Sequence, residues 1–141
     1  MIWKQKDPAA ALRQLNRPSL SQHLGIEFTT IGDDYIEASM PVDNRTRQPY
    51  GILHGGASVV LAETLGSVAS MLCIDDLDKY APVGVEINAN HLNSIASGKV
   101  IGRTTPIKVG RRIHVWQIHI RDEADRPICV SRITIAVVER R

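Results

Sequence analysis

Residues 51 to 73, GILHGGASVVLAETLGSVASMLC, form the longest apolar stretch of the chain, broken only by Glu63. The stretch is too long and too rich in alanine for a strand, and it predicts a helix from about Gly56 to Cys73. Apolar or small residues fall on nearly every side, so the helix is expected to be buried all round. Such a helix can only be covered by being surrounded, which leaves the rest of the chain to supply the cover. Ala57, Ala62, Gly66 and Ala69 would let the covering elements come close. The uncharged runs end at Glu63 and at Asp75, which reads as too short for a membrane span.

The other segments supply strands. Pro8 to Leu15 reads as a short helix with Pro in its first turn. From Leu24 the period becomes two: Ile26, Phe28 and Thr30 alternate before a turn at Gly32-Asp33-Asp34. Ile36, Ala38, Met40 and Val42 alternate with Glu37 and Ser39, as in a half-buried strand. Residues 43 to 53 form a polar loop. After the long helix come four strand-like runs: Val83 to Ala89, the weaker Val100 to Lys108, Ile113 to Arg121 and Ile128 to Val138, with turns at Gly110 and at DEADRP. Tight turns between strands imply antiparallel pairing. The expected fold is α+β: an antiparallel sheet of about six strands wrapped round one long helix. At 141 residues, the chain reads as one domain, 1–141, able to bury a core without disulfides.

Charge excludes some partners. Lys and Arg number 17 against 15 Asp and Glu, a net charge of +2, which gives no basis for a broad nucleic-acid or anionic-membrane surface. Cys73 and Cys129 lie inside apolar runs with no disulfide or metal spacing and read as buried thiols of a cytoplasmic protein. The N-terminus lacks the apolar core of a signal peptide. No metal is expected: His114 and His119 sit an odd number of positions apart on one strand and so face opposite sides, and His23, His54 and His91 show no ligand spacing.

The residues that could do chemistry cluster around the helix. Val59, Glu63, Ser67 and Ser70 share one stripe. A lone carboxylate inside a core must be paired, protonated or turned to a wet cleft; a solvent or subunit edge would equally account for it. His54-Gly55-Gly56 opens the helix, where backbone N–H groups lack partners and the dipole is positive. An N–H there can hold a carbonyl oxygen as it becomes an oxyanion, although glycine-rich helix entries are usually structural. Gln48 could orient a water or a carbonyl, and Ser67 could fix a water. Lys108, Arg111 and Arg112 surround a predicted hairpin tip suited to a phosphate, or simply to solvent. Gly84 within a strand hints at close backbone approach.

Gln48, then His54-Gly55-Gly56-Ala57, then Glu63 and Ser67, in this order of elements, resemble the hotdog-fold acyl-CoA thioesterases of the glutamate-using 4-hydroxybenzoyl-CoA type. The segments MPVDNRTRQPYGILHGGASVVLAETLGSVAS, GVEINANH and VWQI extend the resemblance over nearly the whole chain, toward the group acting on 1,4-dihydroxy-2-naphthoyl-CoA and the enterobactin proofreading thioesterases. The resemblance implies that Glu63 is nucleophile or general base, that Gly55 offers its N–H to the thioester oxygen, that His54 and Gln48 line the site and that Ser67 places the water. It implies coenzyme A contacts at Gly84, at His91, Leu92, Asn93 and Ser94, and at Lys108, Val109, Gly110, Arg111, Arg112 and Ile113. Where relatives carry an arginine, this chain has Asn93, and Arg111 or Arg112 would have to compensate. It further implies a homodimer with shared active sites, commonly paired into a homotetramer, and no cofactor, since coenzyme A is part of the substrate. Burial in an apolar helix would raise the pKa of Glu63 toward neutrality, as suits a base.

Three other readings stand beside hydrolysis of aryl-CoA. A hydratase on the same fold would use a histidine with an acidic partner, against which the spacing of HGG and Glu63 argues. A non-catalytic acyl-CoA sensor would bind without turnover, and Glu63 argues for catalysis. A broad-range acyl-CoA or acyl-carrier-protein thioesterase remains open.

Overall fold

A computed structural model describes all 141 residues. Two short helices, α1 (Pro8–Arg13) and α2 (Leu20–His23), precede strands β1 (Glu27–Ile31) and β2 (Ile36–Pro41). The long helix α3 (Gly55–Leu72) follows, then β3 (Tyr80–His91), β4 (Lys99–Val109), β5 (Ile113–Asp122) and β6 (Pro127–Glu139). The strands form one antiparallel sheet in the order β1-β2-β4-β5-β6-β3. The expected six-stranded sheet around a central helix is therefore present. The α2 helix was not anticipated: four residues, capped by Ser19 through Gln22 N–H, are too few to show a period.

Alternation places the core. Ile36, Ala38 and Met40 of β2 are fully buried against α3, as are Trp116, Ile118 and Ile120 on β5 and Ile133 and Ile135 on β6. Small residues set the helix–sheet distance, as the sequence suggests. A Cβ on Gly66 would collide with Ile133 Cγ2, and one on Gly102 would lie 2.6 Å from Leu65 Cδ1. Gly66→Val should therefore cost about 1–3 kcal/mol by overpacking, outweighing the gain in helix propensity, and thermal unfolding should show a lower Tm.

The helix is not buried all round. Gly56 and Glu63 are exposed, and Val59, Val60, Thr64, Ser67 and Met71 are half-buried. The sheet is open, with β1 and β3 as its edges, so it covers one side of the helix and leaves a stripe free. Ser70 does not share that free stripe: it is fully buried under Trp116 and His114 of β5. By length and mean hydropathy, 1.3 over Gly55–Leu72, α3 would suffice to cross a membrane, which the breaks at Glu63 and Asp75 had argued against. Its packing under the sheet is that of a core helix.

Two features escaped periodicity. Trp3 is buried at 6% exposure, stacked on Trp116 at 6.3 Å between ring centroids, with Nε1 donating to the Gly32 carbonyl at 2.7 Å. Glu37 points away from the helix yet is 7% exposed. Arg103 Nε and Arg121 Nη1 reach its Oε2 at 2.9 and 3.0 Å. Burial alone would push the Glu37 carboxyl up, but hydrogen bonds and charge from the two arginines hold it below the usual range. A depressed carboxylate stabilises the fold above its unfolded pKa, about 4.3, and that contribution fades as pH falls through the folded value. Glu37→Gln should flatten the loss of Tm below about pH 4.5, as melting curves over an acid series would reveal.

Candidate active site

The polar loop before α3 is ordered by its own backbone. Thr46, almost fully buried, donates from Oγ1 to the Pro41 carbonyl at 2.7 Å, and Arg47 bridges Leu53. His54 N–H donates to the Thr46 carbonyl and Leu53 N–H to the Ile95 carbonyl, both at 2.8 Å. This delivers His54 to the N-cap of α3, where its Nδ1 accepts from Gly56 N–H at 2.8 Å. With Nδ1 an acceptor, the neutral ring carries its proton on Nε2 and can donate from there.

The cap satisfies Gly56, and Ala57 and Ser58 donate to the His54 carbonyl. Gly55 N–H has no partner in the chain. It is a free donor at the positive end of an eighteen-residue helix. The bare α-carbon matters, because a Cβ there would lie 2.7 Å from His91 Nε2. Gln48 accepts from Tyr50 N–H through Oε1, which leaves its amide NH2 to donate. Gln48, Gly55, Ser58 and His91 to Ser94 line one recess of about 340 Å3. Ser58 and Ile128, also in this lining, carried no sequence signal of their own. Asn93 Nδ2 donates to the Pro127 carbonyl at 2.7 Å, and Arg126 holds the Ser94 carbonyl at 2.6 Å, so the segment is braced by the β5–β6 turn.

Glu63 lies elsewhere. Eight residues separate it from Gly55, about 12 Å along the helix axis. Its carboxylate faces Gly84, where a Cβ would stand 2.7 Å from Oε2, and β3 bulges just beyond, between Gly84 and Glu86. The expected close approach at Gly84 is therefore real. Glu63 is exposed in the single chain, so the expectation that its own helix buries it is not met. Ser67 follows one turn later, half-buried.

Gly84, Ile135 and His114 face one another across β3, β6 and β5. That row carries Glu63 toward the hairpin between β4 and β5. There Lys108, Val109, Arg111, Arg112 and Ile113 are exposed around half-buried Gly110. Gln48, Gly55 and His91 to Ser94 thus gather at one end of the helix, while Glu63 meets Gly84 about two turns away and residues 108 to 113 form a hairpin tip beyond. His114 is buried and His119 exposed, on opposite faces as expected.

Residues 50–129 match the model of the thioesterase superfamily. The 1,4-dihydroxy-2-naphthoyl-CoA hydrolase of Escherichia coli is 51% identical over 98% of this chain and 100% of its own. The chain belongs to the thioesterase superfamily. A proofreading thioesterase of Cronobacter turicensis is 48% identical over 98% of this chain and 99% of its own. The crystal structure of a Haemophilus influenzae thioesterase superposes with a TM-score of 0.92 at 52% identity, covering 99% of this chain and 96% of that one. This thioesterase has the hotdog fold and is a hydrolase, as its sequence motifs suggest.

Proposed function

We propose that this thioesterase hydrolyses aryl-CoA thioesters, with 1,4-dihydroxy-2-naphthoyl-CoA as the preferred type, at sites shared between two copies of the chain. The observation that carries this reading is the unpartnered Gly55 N–H opening on a recess. It is a ready oxyanion donor set too far from Glu63 to serve the same substrate carbonyl within one chain. Water attacks the thioester carbon while Glu63 takes its proton. Gly55 N–H holds the oxyanion, the C–S bond breaks, and the thiolate leaves protonated as coenzyme A. Attack by the Glu63 carboxylate itself, through an anhydride, would use the same groups. Gln48 and His54 Nε2 supply further donors, and Ser67 orients the water. In this reading no cofactor is required, and a cytoplasmic location fits a coenzyme A thioester substrate.

The edge of the sheet supports the shared site. β3 is twelve residues long and pairs on one side only, while Val83 and Val85 are 47% and 62% exposed. A long apolar edge is a template for pairing with another chain. The opposite edge, β1, is five residues long and bulged. Antiparallel pairing of two β3 strands would bring the His91 end of one copy beside the Tyr80 end of the other. One copy's Gly55 recess would then approach the partner's Glu63 and the partner's Arg111. The pairing would also cover Glu63, and two such dimers would form the tetramer. A hollow of about 860 Å3 lined by Leu12, Ile26, Phe28, Thr64 and Val68 lies on the same helix and has room for a bulky aryl group.

Thiol release from aryl-CoA, aliphatic acyl-CoA and acyl-carrier-protein thioesters tests the substrate. Aryl-CoA should be fastest; equal rates would point to a broad-range enzyme, and binding without release to a sensor. Mixing inactive Glu63→Ala with inactive Gly55→Pro should restore up to about a quarter of the activity, through hybrid dimers carrying one intact site. Mixtures that form hybrids but stay inactive would rule out the shared site.

A further inference from the structure

The hairpin between β4 and β5 needs support that its own sequence does not supply. Gly110 N–H donates to the Ile113 carbonyl at 2.9 Å, closing a two-residue turn at Arg111 and Arg112. Neither arginine has positive φ, so the turn is not of the primed type whose twist matches paired strands. Lys108, Arg111 and Arg112 also bring three like charges to one tip. Val137 N–H ties the Arg112 carbonyl to β6 at 2.8 Å. The remaining brace comes from below.

His114, 2% exposed, lies directly under the turn. Trp116 Nε1 can only donate, and it does so to Ser70 Oγ at 2.7 Å. The Ser70 hydroxyl proton is then free for His114 Nδ1, 2.9 Å away. This leaves Nε2 as the protonated nitrogen of the neutral ring, the form that burial favours, and His114 pairs with Val109 at the base of the hairpin. Trp116 and His114 of β5 are therefore both tied to Ser70 of α3, and His114 follows the hairpin tip directly. Ser70 is two turns beyond Glu63 on the same helix, and His114 is two strands from Gly84 in one row, about 10 Å.

We propose that His114 is a positioning residue: it fixes the cationic hairpin relative to the helix that carries Glu63, so that the phosphates of the thiol half are held at a set distance from the reacting carbonyl. This rests on the reading of residues 108 to 113 as a coenzyme A contact. In this role His114 acts through the hairpin and not on the reacting atoms. Its loss should weaken recognition of the phosphate-bearing half and leave chemistry intact.

The test compares benzoyl-CoA with the benzoyl thioester of N-acetylcysteamine, which lacks phosphates. Arg111→Ala/Arg112→Ala serves as the reference for a hairpin without its cations. In His114→Phe, KM for benzoyl-CoA should rise about tenfold, the size of one charged hydrogen bond. KM for the short thioester, and kcat for both, should stay within about twofold. His114→Gln, whose amide oxygen can accept from Ser70, should recover most of the loss. Ser70→Ala should show a smaller rise of the same kind, and together with His114→Gln it decides the matter if the Phe variant does not fold. A rise in KM with the arginine pair alone, and none with folded His114 or Ser70 variants, overturns the positioning role while keeping the coenzyme A contact. Equal rises on both thioesters would mark His114 as merely structural. An arginine pair without effect removes the coenzyme A contact and the proposal with it.

Discussion

Glu63→Ala should lower kcat on aryl-CoA by roughly a thousandfold, about 4 kcal/mol of transition-state stabilisation, with little change in KM. The size follows from the role. A group that takes a proton from water, or forms the covalent intermediate, acts only as the transition state is approached. The fold should not feel the change. Glu63 is exposed in the chain and makes no ion pair or side-chain hydrogen bond, so Tm should stay close to that of the wild type. Single-turnover kinetics would separate the two chemical routes. A trapped acyl adduct on Glu63 would identify a nucleophile, and oxygen from labelled water entering the acid without ever residing on the enzyme would identify a base. Activity surviving the substitution would remove Glu63 from the mechanism and leave the thioesterase assignment standing.

Gly55→Pro should lower kcat by about 10²–10³, the usual loss for one oxyanion donor. Gly55 is the first residue of α3, a position proline tolerates because its missing N–H would have no helical partner. His54 has φ −69° and ψ 130°, the extended conformation that a following proline demands. The substitution therefore deletes a donor and little else of the helix. Any side chain at 55 must also displace His91, whose ring stands where the Cβ would be. Gly55→Ala carries that same Cβ and keeps the N–H, so the kcat ratio between the two variants isolates the donor. Equal losses in both would mean that the His91 contact, and not the N–H, is what the site needs.

The helix and the sheet were legible because their signals are local. An eighteen-residue run of small and apolar residues excludes a strand, and alternation at Ile36, Ala38 and Met40 names the inward face of β2. Gly66 and Gly84 read as points of close approach, and both are. The site residues were legible as a set through resemblance to a family, since HGG is a common helix entry and one glutamate on a helix has several explanations.

What sequence by itself determined, then, is the class of fold and the inward faces, because composition and period act within a few residues of one another; the candidate site residues came only as a set implied by family resemblance. Tertiary structure decided which of those residues meet. Ser70 left the polar stripe because β5 closes over it, and Glu37 became buried because Arg103 and Arg121 arrive from strands more than sixty residues away. Gly55 and Glu63, eight residues apart, were separated by the rise of one rigid helix. Strand order leaves β3 as a bare edge of the sheet. These outcomes depend on pairing between distant segments, which no local pattern encodes.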